Sequence, residues 1–329
     1  MSGIIIAVIM FALTILLILG GVHIGVVLLS TSVLGMYLII GDFGRAVSML
    51  GTGPFYAVFN YNLAVIPLFV LMGLFANASG ASKDLYDAGY KWLGRLKGGL
   101  GIVTVVSNAV FAAVTGVSIA SAAVFSKIAV PEMQRFGYSK RFSAGCVAGS
   151  SALGMLIPPS LLFIVYGLLS GVSIGKLFVA GIIPGIVLAI AYCLAIIFMA
   201  YFMPGILGNP TVPGKIKWKT RFSSLGKASS IVGLIIVVLG GIYAGVFTPT
   251  EAGAVGCIGA LVIMLIKKQF TFRNIWYALK ETGMTTASVF LLIIGAQMFS
   301  RMLTVSGLVN AMSTVATGME INPKLVAAF

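Results

Sequence analysis

Two short runs carry the residue types that a desolvated cation needs. Val114-Thr115-Gly116-Val117-Ser118-Ile119-Ala120-Ser121 is small and hydroxylated, with Ser107 and Asn108 shortly before it. Gly154-Met155-Leu156-Ile157-Pro158-Pro159-Ser160 follows in an otherwise continuous apolar stretch. Consecutive prolines remove two backbone donors and clash with the preceding turn, so a helix must unwind or kink there. Carbonyls released around Gly154 to Ile157, beside hydroxyls such as those of Ser118 and Ser151, are neutral oxygen ligands of the kind a hard cation like sodium takes. The alternative is a proline kink whose freed groups are re-satisfied by neighbouring helices. Thr115, Gly116, Val117, Ser118, Gly154, Pro158, Pro159 and Ser160 are the candidate sodium-binding residues; Asn108, Ser151 and Arg301 are candidates for contact with an anionic substrate.

These residues must be positioned by membrane helices. The chain is 60% hydrophobic and 9% charged, with a mean hydropathy of +1.12, against roughly 25% charged in soluble domains. Several charge-free stretches reach the ~20 residues a helix needs to cross about 30 Å of hydrocarbon. Spans are predicted near 4–20, 24–41, 62–79, 139–170, 173–203, 230–247, 250–266 and 284–300. The first stretch reads as two spans rather than a cleaved signal, because no basic segment precedes it.

The net charge of +14 finds its explanation in position, not in a nucleic-acid partner. With the N-terminus outside, the cytoplasmic segments hold sixteen basic residues, among them Lys83, Lys91, Arg95 and Lys97, the cluster from Lys215 to Lys227, and Lys267 and Lys268. Only Arg45, Lys176, Arg301 and Lys324 fall outside, with Lys127 assigned to neither side. That bias sets an orientation by the positive-inside rule. It holds only if residues 99–134 enter and leave on the cytoplasmic side, as a re-entrant hairpin with its tip at Gly116. Two full spans joined by a tight turn, or small-residue helix packing with no site, are the alternatives. The segment's middle has no charged or aromatic anchor, which an external turn should show.

Other residues favour structural readings. Thr248, Pro249 and Glu251 stand at N-cap, N1 and N3 spacing, a capping box rather than an intramembrane carboxylate. Asp84 and Asp87, among Lys83, Lys91, Arg95 and Lys97, belong to an amphipathic helix expected to lie along the cytoplasmic surface. His23 is the only histidine, at a helix junction. Cys146, Cys193 and Cys257 are single and apolar in setting, so they read as packing residues. An intramembrane enzyme would need paired carboxylates or metal-ligand spacing, neither of which the sequence offers. A channel is the nearer rival, since it too can use re-entrant loops.

The chain also repeats itself. Gly21-Val22-His23-Ile24 matches Gly245-Val246-Phe247-Thr248, and Phe69-Val70-Leu71-Met72-Gly73 matches Leu291-Leu292-Ile293-Ile294-Gly295, at offsets of 224 and 222 residues. Amphipathic stretches, Arg45 to Asn60 and Phe272 to Gly283, precede the third span of each copy. The charge pattern makes the repeat inverted, which favours alternating access over a channel. The expected organisation is scaffold helices over 1–79, a cytoplasmic amphipathic arm over 80–98, and half of a transport domain over 99–204. That half comprises the hairpin 99–134, a broken helix 139–170 and a helix 173–203. A cytoplasmic loop over 205–229, second-repeat scaffold and arm over 230–318, and the start of a second hairpin over 319–329 complete it. Carrying the first-half intervals forward puts the second tip near ~338, so the chain is expected to stop before the second hairpin is complete.

The run from Phe111 through Ala120, Pro131-Glu132-Met133, Gly137-Tyr138, Ile157-Pro158-Pro159-Ser160, Ala180-Gly181-Ile182-Ile183-Pro184-Gly185 and Thr248-Pro249-Thr250-Glu251-Ala252 together resemble the large membrane subunit of tripartite ATP-independent periplasmic (TRAP) transporters. The resemblance covers essentially the whole chain. It implies a sodium-coupled elevator-type symporter in a bacterial inner membrane, not an enzyme, with sodium as coupling ion and no other cofactor. It also implies a small four-helix membrane subunit, a periplasmic substrate-binding protein and a small organic acid as cargo. One departure is visible: the family often carries two hydroxyl residues after the hairpin glycine, whereas Val117 precedes Ser118 here. A carbonyl ligand at Val117 is unaffected; a side-chain ligand is lost. The motifs are backbone and ion-site features and leave the substrate open.

Overall fold

The structure is a computed structural model that describes residues 2–211, 214 and 217–318. Among these residues the fold is helical throughout, and the one β-type pairing is an isolated bridge between Tyr138 and Gly208. Six helices are long and apolar enough to cross a membrane, so the chain is a multi-pass, all-α membrane protein. It divides into two compact units, Met1–Tyr61 with Thr286–Phe329, and Asn62–Thr285.

The first unit begins with α1 (Gly3–Leu19), α2 (Ile24–Ile40) and α3 (Phe43–Val58). Its core gathers Ile6, Met10, Met36, Ala46, Phe299 and Met302. Small residues let the backbones approach, as expected where lipid supplies no hydrophobic force between helices. A Cβ on Gly25 would meet the Leu291 backbone at 2.9 Å. Thr14 donates to Thr31 at 3.0 Å across α1 and α2, and Thr31 in turn donates to the Val27 carbonyl at 2.7 Å.

The second unit opens with a 3-10 turn, Tyr61–Ala64, into α4 (Val65–Ala78), followed by α5 (Ala81–Leu93). Next come α6 (Gly99–Thr115) and α7 (Ser118–Arg135), joined by two residues and packed together. The interrupted helix is α8 (Lys140–Ser151), α9 (Leu153–Leu156) and α10 (Leu161–Ser170). Then follow α11 (Ile174–Phe202), the short α12 (Pro204–Leu207), α13 (Trp218–Tyr243) and α14 (Pro249–Ile266). Last comes the start of α15 (Phe272–Val305), which runs on past the end of this unit; α16 (Leu308–Gly318) belongs to the first.

Helix α6 is the centre of the second unit. It packs on α4, α5, α8 and α11, and residues such as Leu100, Val103, Asn108 and Phe111 are fully enclosed. Its 17 residues span only about 25 Å at 1.5 Å per residue, short of a bilayer core of about 30 Å.

The structure departs from the sequence expectations at three elements. Residues 205–229 are not all loop: α13 begins at Trp218, well before the span expected near 230. Lysines hide this turn from a hydropathy reading, but Ser224 and Ala228 are buried on one face and Trp92 of α5 packs edge-on against Trp218 and Phe222. The amphipathic stretch at 272–283 and the span at 284–300 form the single helix α15, because no proline separates them and Gly283 sits in open space. Finally, α5 is covered by protein: Leu85, Tyr86 and Ala88 are buried where α5 lies against α6 and α13. The expected start of a second hairpin at 319–329 lies outside the described residues.

Candidate functional site

The connection between α6 and α7 is built by conformation before chemistry. Gly116 closes α6 in the left-handed region at φ +61°, which only glycine adopts without cost. Val117 is extended and stands as the N-cap of α7, so Ser118 opens that helix. Thr115 is tied down by its neighbours: its hydroxyl lies 3.2 Å from the Phe111 carbonyl, to which it donates, and 3.2 Å from Ser121 Oγ.

The second break meets this connection directly. Ile157 and Ser160 are both extended, separating α9 from α10, and the Pro158–Pro159 peptide between them is cis. Gly116 O accepts a hydrogen bond from Leu161 N at 3.0 Å. A Cβ on Gly116 would lie 2.4 Å from the Pro159 carbonyl oxygen, and one on Gly154 would lie 3.1 Å from Ser118 N. The eight candidate ion-site residues therefore converge on one locus. Gly73 of α4 also belongs there, since a Cβ on it would sit 2.8 Å from Thr115 Cα. In the sequence Gly73 stands out only as a repeat marker; the signal for its packing role is a glycine set among bulky apolar residues of α4.

The donors at this locus are neutral oxygens. The C-terminal ends of α6 and α9 end here with carbonyls that have no intrahelical donor, and the helix dipole makes such ends negative. Thr115 and Ser160 spend their hydroxyl protons on carbonyls, Ser160 on Met155 O at 2.5 Å, which leaves oxygen lone pairs to face a cation. Ser118 is partly exposed and available. Val117 can contribute only its carbonyl. Carbonyl and hydroxyl oxygens are hard donors of the kind that hard cations take.

The substrate candidates divide. Asn108 is fully buried, and its Nδ2 donates to Ser150 Oγ at 2.9 Å, linking α6 to α8. Its Oδ1 is buried with no partner among the described residues. Ser151, the next residue after Ser150, donates to the Ala148 carbonyl at 2.8 Å. Arg301 lies in the first unit, exposed on α15, with Nη1 3.6 Å from where a Gly53 Cβ would stand. It is inside a helix rather than just after a span.

Comparison with known proteins decides the family. The model of the DctM component of tripartite ATP-independent periplasmic transporters matches residues 9–328. The chain belongs to that family. Among its DctM relatives is the C4-dicarboxylate TRAP transporter large permease protein of Pseudomonas aeruginosa, 33% identical over 80% of this chain and 61% of that protein. The ectoine TRAP transporter large permease protein TeaC of Halomonas elongata is 32% identical over 89% of the chain and 67% of its own length. The sialic acid TRAP transporter large permease protein SiaM of Vibrio cholerae is 34% identical over 73% of the chain and 55% of its own length. The chain thus spans about three fifths of these TRAP relatives, each of which is named as a permease rather than an enzyme.

Proposed function

We propose that this chain is the large membrane subunit of a sodium-coupled secondary transporter that imports a small organic acid. The observation that carries the reading is the apposition of the Gly116 connection and the Pro158–Pro159 break, locked by the Leu161 N–H bond to Gly116 O at 3.0 Å. Two irregular segments held at membrane depth, where backbone polar groups are tolerated only beside a cavity or an ion, are the usual build of a transporter ion site. Thr115, Gly116, Val117, Ser118, Gly154, Pro158, Pro159 and Ser160 would hold sodium through carbonyl and hydroxyl oxygens. Sodium would supply the driving force and a positive charge beside which a carboxylate can dock. Asn108, whose buried Oδ1 is unpaired, Ser151 and Arg301 are the residues proposed to contact that substrate. On this reading the protein sits in a bacterial inner membrane with its N-terminus periplasmic, works with a small four-helix subunit and a periplasmic binding protein, and moves its hairpin-bearing domain as an elevator against a scaffold. The relatives are named for C4-dicarboxylates, ectoine and sialic acid, so they do not narrow the cargo further.

The test is sodium-driven uptake in liposomes with the partner subunits present. Ser118→Ala should raise the sodium concentration for half-maximal uptake by about tenfold, equivalent to ~1.4 kcal/mol of ion binding. Gly116→Leu should abolish uptake. Unchanged sodium dependence in both variants overturns the site, and uptake that ignores sodium overturns the coupling.

A further inference from the structure

The start of α13 concentrates positive charge that nothing in the described chain answers. Lys217 is its N-cap and offers no side-chain cap, and the first turn contains no acidic residue. Lys219 and Arg221 stand in that turn. A helix N-terminus already carries about half a positive charge, so these cations oppose both the helix and one another. None of the ion pairs among the described residues includes them. Arg221 is only partly buried, yet its Nε is enclosed without a hydrogen-bond partner. Its guanidinium carbon lies 5.0 Å from the Trp218 ring centre, within cation–π range.

An independent feature sits on the same helix. Trp218 and Phe222 are 64% and 60% exposed, and Trp92 braces them from α5, donating its indole N–H to Arg221 O at 3.3 Å. Continuing at steps of three, seven and four residues, which keep to one helix face, Leu225, Val232 and Ile236 are also exposed. Cations and large aromatic rings at one helix end, followed by an apolar stripe on the same face, mark the headgroup level of a membrane and the acyl region beyond it.

We propose that this end of α13 binds one anionic phospholipid. The phosphate is held by Lys219, Arg221 and the N–H groups of Trp218 and Lys219, those of Thr220 and Arg221 being bonded to the Lys217 carbonyl, and the acyl chains lie along Phe222, Leu225, Val232 and Ile236. The lack of any acidic residue in the turn leaves nothing to pair with a choline or ethanolamine group, which favours a lipid of net negative charge. The apolar stripe favours a lipid over free phosphate.

Native mass spectrometry of the full-length protein, released from micelles containing phosphatidylglycerol or phosphatidylcholine, tests this. Wild type should retain one phosphatidylglycerol and little phosphatidylcholine. Arg221→Gln and Lys219→Gln should each lower retention about fivefold, since a basic residue at an anionic surface contributes on the order of 1 kcal/mol. Arg45→Gln, at an exposed side chain paired with Asp42, should change nothing. If Arg221→Gln does not fold, Lys219→Gln, on an exposed side chain, carries the comparison alone. Equal retention by the variants, equal retention of both lipids, or displacement of the lipid by glycerol phosphate overturns the proposal. So does a site found filled by a companion subunit.

Discussion

Gly116 combines two constraints, of which Gly171 meets only the first. Gly116 has φ +61°, and a side chain would strike the Pro159 carbonyl at 2.4 Å. Gly171 shares the left-handed backbone at φ +72° but faces open space. Gly171→Ala should therefore cost only the left-handed penalty of roughly 1–2 kcal/mol, whereas Gly116→Ala must also displace the break and should lower the thermal midpoint in detergent clearly further. Equal losses would mean that the tip and the break are not locked. Tyr86 supports a second prediction. Burial on α5 pushes its phenol well above the usual tyrosine range, so the folded form resists a deprotonation that the unfolded chain undergoes near pH 10. Stability is then unaffected below pH 10 and falls as pH rises beyond it. Tyr86→Phe should flatten that alkaline decline, read from unfolding midpoints between about pH 9 and 11.

At the scale of elements, α5 is joined to the end of α14 by an ion pair between Asp84 and Lys267, with side chains 30% and 19% exposed. Lys267 is also the C-cap of α14, where a cation complements the helix dipole. Partial exposure moderates the pair, so Asp84→Asn should cost on the order of 1 kcal/mol. A double-mutant cycle with Lys267→Met should recover a coupling energy of similar size; additive losses would show that the two side chains act separately. Asp87 and Lys91, 2.5 Å apart within α5, serve as the local control, since an intrahelical pair contributes only ~0.3–0.5 kcal/mol. At the other end of α14 the Thr248–Glu251 capping box is complete, with Thr248 N donating to Glu251 Oε2 at 2.8 Å. The acid there is a helix cap, as its spacing predicts.

At the scale of the whole molecule, the proposed orientation places the segment before α13 in the cytoplasm. Gly214 is exposed, and a Cβ there would meet no atom of the described residues within 4 Å. A Gly214→Cys variant in intact cells should resist an impermeant thiol reagent and react after permeabilisation. Native Cys146 and Cys257 are buried and Cys193 partly so, which keeps their background low. Labelling from outside would reverse the topology and remove the inverted repeat with it.

Sequence alone determined the class of this protein and the position of its two breaks. Sixty per cent apolar composition admits only a membrane solution, while Thr115-Gly116 and Pro158-Pro159 act through local backbone rules that need no partner. The family, too, was legible from the ordered motifs. Tertiary structure decided what those breaks touch: the bond from Leu161 N to Gly116 O joins positions 45 residues apart, and no local rule encodes such a contact. It also decided where helices begin when charge obscures hydropathy. Trp218 to Lys227 reads as a basic loop, yet it is helical because Trp92 and the rest of α5 cover one of its faces. The same packing, rather than lipid, buries α5, since an amphipathic pattern specifies that a face must be covered but not by what.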